Sequence, residues 1–243
     1  MNATATATVN PSAASTHDEA ADYIWNNSFD KPTLVISRAR VGVQYDALQA
    51  GLGDARIHYA VKANPAPEVI RMLVERGSGF DAASRQEIEL CLSQGADPAK
   101  ISFGNTIKRG VDIAFAHSIG VTMFAADCEA ELDKIAEHAP GARVYIRLIV
   151  ENSMADWPLT RKFGCAGSLL PSLLEYTKSV GLVPYGLSFH VGSQTRRAEY
   201  WHPVLDQVAP LWHAAKEAGH DLQLLNIGGG FPAYHGDPVD APR

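Results

Sequence analysis

From Lys31 onward, short runs rich in β-branched and aromatic residues alternate with longer stretches whose apolar residues recur at helical spacing. After a brief opening run at 33–36, the pattern predicts seven strands, at 57–62, 79–83, 101–104, 121–126, 143–150, 185–191 and 222–228. The segments between them read as helices. PEVIRMLVERG (67–77), for example, places Val69, Ile70, Leu73 and Val74 on one face, opens with proline and stops on glycine. Strict alternation of strand and helix is the pattern of a parallel sheet, either doubly wound or closed into a (β/α)8 barrel.

The polar residues at the ends of the strands favour the barrel. Lys62, Asp81, Asn105, Asp127, Arg147, His190 and the glycines after Asn226 each follow or close a predicted strand. In a barrel those ends converge on one face, where sites are built, whereas an open sheet brings together only the ends near its switch point. The expected fold is therefore an α/β, TIM-type (β/α)8 barrel with about seven strands present. Residues 31–243 form the barrel domain and 1–30 a poorly ordered tail. The 33–36 run is not counted as the eighth strand, so the barrel is expected to be incomplete.

Composition narrows the function classes. The chain has 243 residues, 46% of them hydrophobic and 20% charged, which fits a soluble globular protein and leaves no apolar run long enough to span a membrane. A net charge of −6 with scattered signs offers no basic face for nucleic acid. Cys91, Cys128 and Cys165 are an odd count without C-x-x-C spacing, which argues against a disulfide framework or a zinc site and for a reducing, cytoplasmic setting. The N-terminus has neither a basic start nor an apolar core, so it is not read as a signal or transit peptide.

Four stretches carry candidate chemistry. In HYAVKANP (58–65) the alternation leaves Lys62 at the carboxyl end of a strand, either as a solvated strand-end lysine or as a functional amine. NIGGGFP (226–232) puts three glycines after a strand, which makes either a flexible turn or a place where backbone N–H groups meet an anion. FHVGSQT (189–195) sets His190 before Gly192 and Ser193, whose N–H and hydroxyl can reach phosphate oxygens. In FDAASRQEIE (80–89), Ser84 and Glu87 have capping-box spacing, and Asp81 is left over as an acid that can face Lys62. A lysine, a phosphate cradle, a histidine able to stack on a ring and a nearby carboxylate together suit pyridoxal phosphate chemistry, in which a lysine forms the Schiff base.

YAVKANP, FDAASRQEIE, ISFGNTIKR, FAADCEAELDKIA, RKFG, FHVGSQ and NIGGGFP, collinear from about residue 33 to 232, closely resemble the fold type III pyridoxal phosphate decarboxylases. The likeness is to the ornithine decarboxylase group with its bacterial lysine/ornithine relatives. It implies pyridoxal 5'-phosphate as cofactor, a small basic amino acid as substrate, ornithine to putrescine as the reaction, and a homodimer. By the same resemblance Lys62 would be the Schiff-base lysine, His190 would stack on the pyridine ring, and Asp81 would lie near Lys62. Ser193, Gly228, Gly229 and Gly230 would hold the phosphate, and Arg147 would line the pocket. No metal is implied. The family continues into a last strand with a Glu-Pro-Gly-Arg segment and a β-domain bearing a Cys and an Asp, none of which occurs in these 243 residues, so the chain is expected to be a truncated form with little activity. The alternatives are diaminopimelate or lysine decarboxylase of the same fold, a non-catalytic decarboxylase homologue that binds a regulatory partner, and a small single-domain barrel for vitamin homeostasis.

Overall fold

The computed structural model describes residues 19–151 and 162–233. Seven strands, β1 (His58–Ala60), β2 (Gly79–Ala82), β3 (Ile101–Phe103), β4 (Met123–Ala126), β5 (Arg143–Arg147), β6 (Val183–Ser188) and β7 (Leu224–Asn226), form one sheet. Every neighbouring pair is parallel, and the strand order is the sequence order. A doubly wound sheet reverses its order at a switch point, whereas this one advances in a single direction, as a barrel wall does. The fold is an incomplete (β/α)8 barrel.

Between the strands run helices α3 (Pro67–Glu75), α4 (Arg85–Ser93), α5 (Gly110–Ser118), α6 (Glu129–His138), α7 (Leu170–Ser179) and α8 (His202–Glu217). Two more precede β1: α1 (Glu19–Asn26) and α2 (Arg38–Leu52), the latter tied to the turn after α3 by the Arg76–Asp46 ion pair at 3.2 Å. Residues 1–18 of the expected tail lie outside the described residues.

Helix α3 shows how the pattern becomes structure. Pro67 sits where its missing N–H costs nothing, and Val69, Ile70, Met72 and Leu73 are buried against the sheet. The helix closes on Gly77 at φ +79°, which lets Ser78 N–H reach back to Leu73 O at 3.1 Å. The same glycine closure follows α4, α5, α7 and α8, and each time it hands the chain to the next strand. The main core, which includes Ile70, Phe80, Ile88, Ile101, Phe124, Leu132 and Leu187, lies between helices and sheet. At about 1.5–3 kcal/mol for each fully buried large side chain, it is the principal stabilising layer. A smaller cluster, Met123, Ala125 and Tyr145 with Tyr185 and Leu224, lies on the inner face.

All seven predicted strands are present, and several are shorter than the pattern suggests. β1 ends at Ala60, and Lys62 sits on a one-turn 3₁₀ segment, Val61–Ala63. There Asn64 Oδ1 accepts from Ala66 N at 3.1 Å and Pro65 blocks further pairing, so the chain turns before the alternation runs out. β5 stops at Arg147 because Leu148 and Ile149 turn to bond the 164–165 segment. Residues 33–36 carry no strand, and Leu34 and Ile36 are exposed.

Candidate active site

Four charged or titratable groups converge at the carboxyl ends of β1, β2, β5 and β6. Lys62 and Arg147 both act electrostatically on Asp81, and both act on His190. Lys62 is exposed at the mouth, while Asp81 is ringed by protein atoms and keeps a solvent-facing edge. Burial raises the Asp81 carboxyl above its ordinary range; the Ser102 hydrogen bond and the Lys62 and Arg147 charges oppose this, and Glu87 adds to it.

His190 is held as a neutral ring. Burial, helped by the Arg147 and Lys62 charges, lowers its pKa to about 4. Its Nδ1 accepts from Gly192 N at 3.0 Å, so in the neutral ring the proton resides on Nε2. The Gly192 N–H is thereby spent within its own loop and is not free to contact an anion as the sequence suggested.

The loops after β6 and β7 form one cradle. Phe189 N bonds Asn226 O at 3.0 Å, Thr195 N bonds Gly230 O at 2.9 Å, and Gly228 N bonds Asn226 Oδ1 at 2.9 Å. Gln194, at φ +55°, exchanges two hydrogen bonds with the backbone of Ala233, at 2.7 and 2.8 Å. Gly228 and Gly230 both lie at positive φ. A Cβ on Gly228 would stand 2.5 Å from Phe189 O, and one on Gly230 would overlap Gly192 O. Gly229 lies beside the His190 ring, its Cβ position 3.7 Å from Nε2. Trp201 and Phe231 close the rim with ring centroids 5.3 Å apart. Ser193 sits half-buried in the same loop.

The remaining strand-end residues support the rim. Asp127 Oδ2 accepts from Gly164 N at 2.8 Å and anchors the FG turn of the RKFG motif, whose Arg161 lies outside the described residues. Arg147 rests over the Phe163 ring at 5.5 Å. Behind Asn105, Lys108 is fully buried and donates to Glu131 at 2.8 Å, Ala125 O at 2.6 Å and Asn105 O at 2.9 Å. Burial lowers its pKa to about 8 against the pull of Glu131. Ser84 and Glu87 form the expected cap, with one shift: Glu87 Oε2 reaches Ala83 N at 2.6 Å, one residue before the cap itself.

The residues fit a phosphorylated aromatic cofactor. A free amine, a neutral ring and a cradle narrow enough that only glycine fits at two positions face one opening. Residues 38–241 match the family described as pyridoxal-dependent decarboxylase, pyridoxal binding domain. The chain belongs to this family. Pyridoxal 5'-phosphate is accordingly the cofactor of this domain. Among curated relatives it is 37% identical over 215 residues to decarboxylase flvG of Aspergillus flavus, covering 88% of this chain and 50% of that one. It is 36% identical over 201 residues to lysine/ornithine decarboxylase of Selenomonas ruminantium, covering 83% and 51%. With antizyme inhibitor 2 of Xenopus laevis it shares 37% over 174 residues, covering 72% and 38%. The crystal structure of SrLDC in complex with PLP and cadaverine superposes with a TM-score of 0.80 at 33% identity, covering 89% of this chain and 55% of that one. The chain thus spans about half the length of the curated relatives it matches. Among the described residues no helix is long and apolar enough to cross a membrane, and no group of three or more His, Cys, Asp or Glu side chains could hold a metal ion.

Sequence reading missed Ser102, Tyr145, Thr195 and the Lys108–Glu131 pair. A signal for Ser102 exists: a hydroxyl between Ile101 and Phe103 on a buried strand must face the barrel interior.

Proposed function

We propose that this domain serves a decarboxylase acting on a basic amino acid, L-ornithine first, with putrescine as product. Lysine and diaminopimelate are the alternatives within the fold. The observation that carries the reading is the convergence of Lys62, Asp81, Arg147 and His190 on the glycine cradle. The cofactor supplies an electron sink for the electrons released when the α-carboxylate leaves. Lys62 provides the amine that anchors it covalently, Asp81 keeps that ammonium in place, and the neutral His190 offers its face to the ring. Ser193 and the backbone of Gly228, Gly229 and Gly230 hold the phosphate, with Arg147 along the pocket wall. The full-length protein works as a soluble, cytoplasmic homodimer in polyamine synthesis.

Protein mixed with pyridoxal phosphate should develop Schiff-base absorbance, and borohydride should fix the adduct on Lys62, located by peptide mass mapping. An adduct of equal yield in Lys62→Ala overturns the assignment. Full-length protein should then release putrescine from ornithine, and turnover of diaminopimelate alone would replace ornithine as the substrate.

The likeness to antizyme inhibitor 2 favours one second reading, a non-catalytic homologue that binds a regulatory partner. Retention of Lys62, Asp81, His190 and Ser193 weighs against it. Absence of both the adduct and amine release in the full-length protein would favour it.

A further inference from the structure

Behind Asp81, on the inner face of the barrel wall, lie two hydroxyls that the cofactor chemistry above does not use. Ser102 is the register partner of Asp81 on the adjacent strand, so the two side chains leave the sheet on the same side. The Ser102 Oγ–H donates to Asp81 Oδ1 at 2.9 Å. Gly104 packs against the same carboxylate so closely that a Cβ there would overlap Oδ1. The Asp81 side chain is thus held between a hydroxyl on one side and bare backbone on the other.

Tyr145, on β5, belongs to the same inner layer: Ala125 is its register partner, and Met123, Ala125, Tyr185 and Leu224 surround it. It is 2% exposed, and its hydroxyl has no hydrogen-bond partner. A buried, unsatisfied phenol costs about 1–3 kcal/mol, and the apolar surfaces of Met123, Ala125, Leu224 and the Tyr185 ring would pack as well around phenylalanine. The polar groups that act on that hydroxyl are the carboxylate of Asp81, the hydroxyl of Ser102 and the guanidinium of Arg147.

We infer that Ser102 and Tyr145 are positioning residues for Asp81, a two-hydroxyl relay that fixes one carboxylate oxygen from inside the barrel and leaves the other to face Lys62. This rests on the reading of Asp81 as the acid that keeps Lys62 in place. The direction of the relay follows from donor counting. The Ser102 hydroxyl has one proton and two acceptors in reach, Asp81 Oδ1 at 2.9 Å and Phe80 O at 3.4 Å; the nearer carboxylate takes it, which leaves the Ser102 lone pairs to accept from the Tyr145 O–H, a donor without a partner. Hydrogen bonds of this kind are often long before a ligand closes the site, so a small approach of Tyr145 completes the chain. Besides the two hydroxyls, Asp81 faces Lys62 from the turn after β1, Arg147 at the end of β5 and Glu87 on α4.

The test is an aspartate carboxyl-carbon NMR titration of the cofactor-free 243-residue chain, with Asp81→Asn to assign the signal. Ser102→Ala should raise the Asp81 midpoint by about one unit and Tyr145→Phe by about half of that, because each removes support for the charged form. Ser102→Thr, which restores a hydroxyl, should return the midpoint to its parental value. Thermal melting serves as the control, and Ser102→Cys is the substitute if the alanine variant melts early. An Asp81 midpoint unchanged in Ser102→Ala or Ser102→Cys overturns the relay, and one unchanged in Tyr145→Phe removes Tyr145 from it. Borohydride trapping at Lys62, run in parallel, separates the two claims. Shifted midpoints without an adduct keep the relay and overturn the cofactor role of Lys62, whereas an adduct without shifts overturns the relay alone.

Discussion

Replacing Glu131 with glutamine tests how the mouth of the barrel is held together. Glu131 is 3% exposed, and its carboxylate accepts from Lys108 Nζ at 2.8 Å, Lys108 N at 3.1 Å and Lys134 Nζ at 2.6 Å. Lys108 has no exposed side-chain surface, so the substitution strands a buried ammonium without its counter-charge. Breaking such a pair from one side costs about 3–5 kcal/mol. Two carbonyls, Ala125 O and Asn105 O, still receive the Lys108 protons, and the glutamine oxygen can accept one, which places the expected loss near the lower end, about 3 kcal/mol. In Lys108→Met/Glu131→Gln no buried charge remains, the glutamine oxygen still accepts from the backbone N–H of residue 108 and Lys134 turns to solvent, so this double variant should fall within about 1 kcal/mol of the parent. The pH dependence gives an independent check. The native Lys108 pKa is about 8, below that of an unfolded lysine, and Glu131 is what holds it up. Without Glu131 it falls further, so the native variant sheds the proton while the unfolded chain keeps it. Stability of the variant then rises with pH, and its deficit narrows up to about pH 8, above which the native parent sheds the same proton and the two curves run parallel. Urea unfolding followed by far-ultraviolet circular dichroism measures both effects. A loss under about 1 kcal/mol, or a deficit that does not change with pH, refutes the reasoning.

The His190 ring, held neutral with a pKa of about 4, should make the protein acid-sensitive. Between about pH 6.5 and 4 the unfolded chain binds the proton and the folded one does not, so stability falls as pH falls, by roughly 2 kcal/mol after discounting for the ring's partial exposure. Urea midpoints at successive pH values should fall less steeply in His190→Phe, and parallel curves would contradict the assignment. Gly230→Ala places a side chain at φ +94° against the Gly192 carbonyl, which parts the two cradle loops. Strain of about 1–3 kcal/mol there should lower the melting temperature by only several degrees and weaken pyridoxal phosphate binding roughly tenfold or more, as read by absorbance titration.

Much of this architecture was legible in the pattern alone. Period-two and helical runs are set by local geometry and burial, so strands and helices along the whole wall could be read from residue order, and the polar strand ends pointed to one face. Boundaries were less legible. Lys62 left its predicted strand because Asn64 and Pro65 favour a turn over one more ladder bond, and β5 ended early because Leu148 and Ile149 found partners in a segment about fifteen residues away.

The amino-acid sequence by itself determined the fold class, the lysine and the glycine loops, because each depends on residues adjacent along the chain. Tertiary structure decided which groups act on one another. Only the folded sheet sets Ser102 beside Asp81 and Tyr145 within their field, buries Lys108 on Glu131, and uses the Gly192 N–H to fix the His190 ring. All but the His190 contact link residues about twenty or more apart along the chain. Their strength comes from exclusion of water, a property of the assembled barrel that no stretch of sequence carries alone.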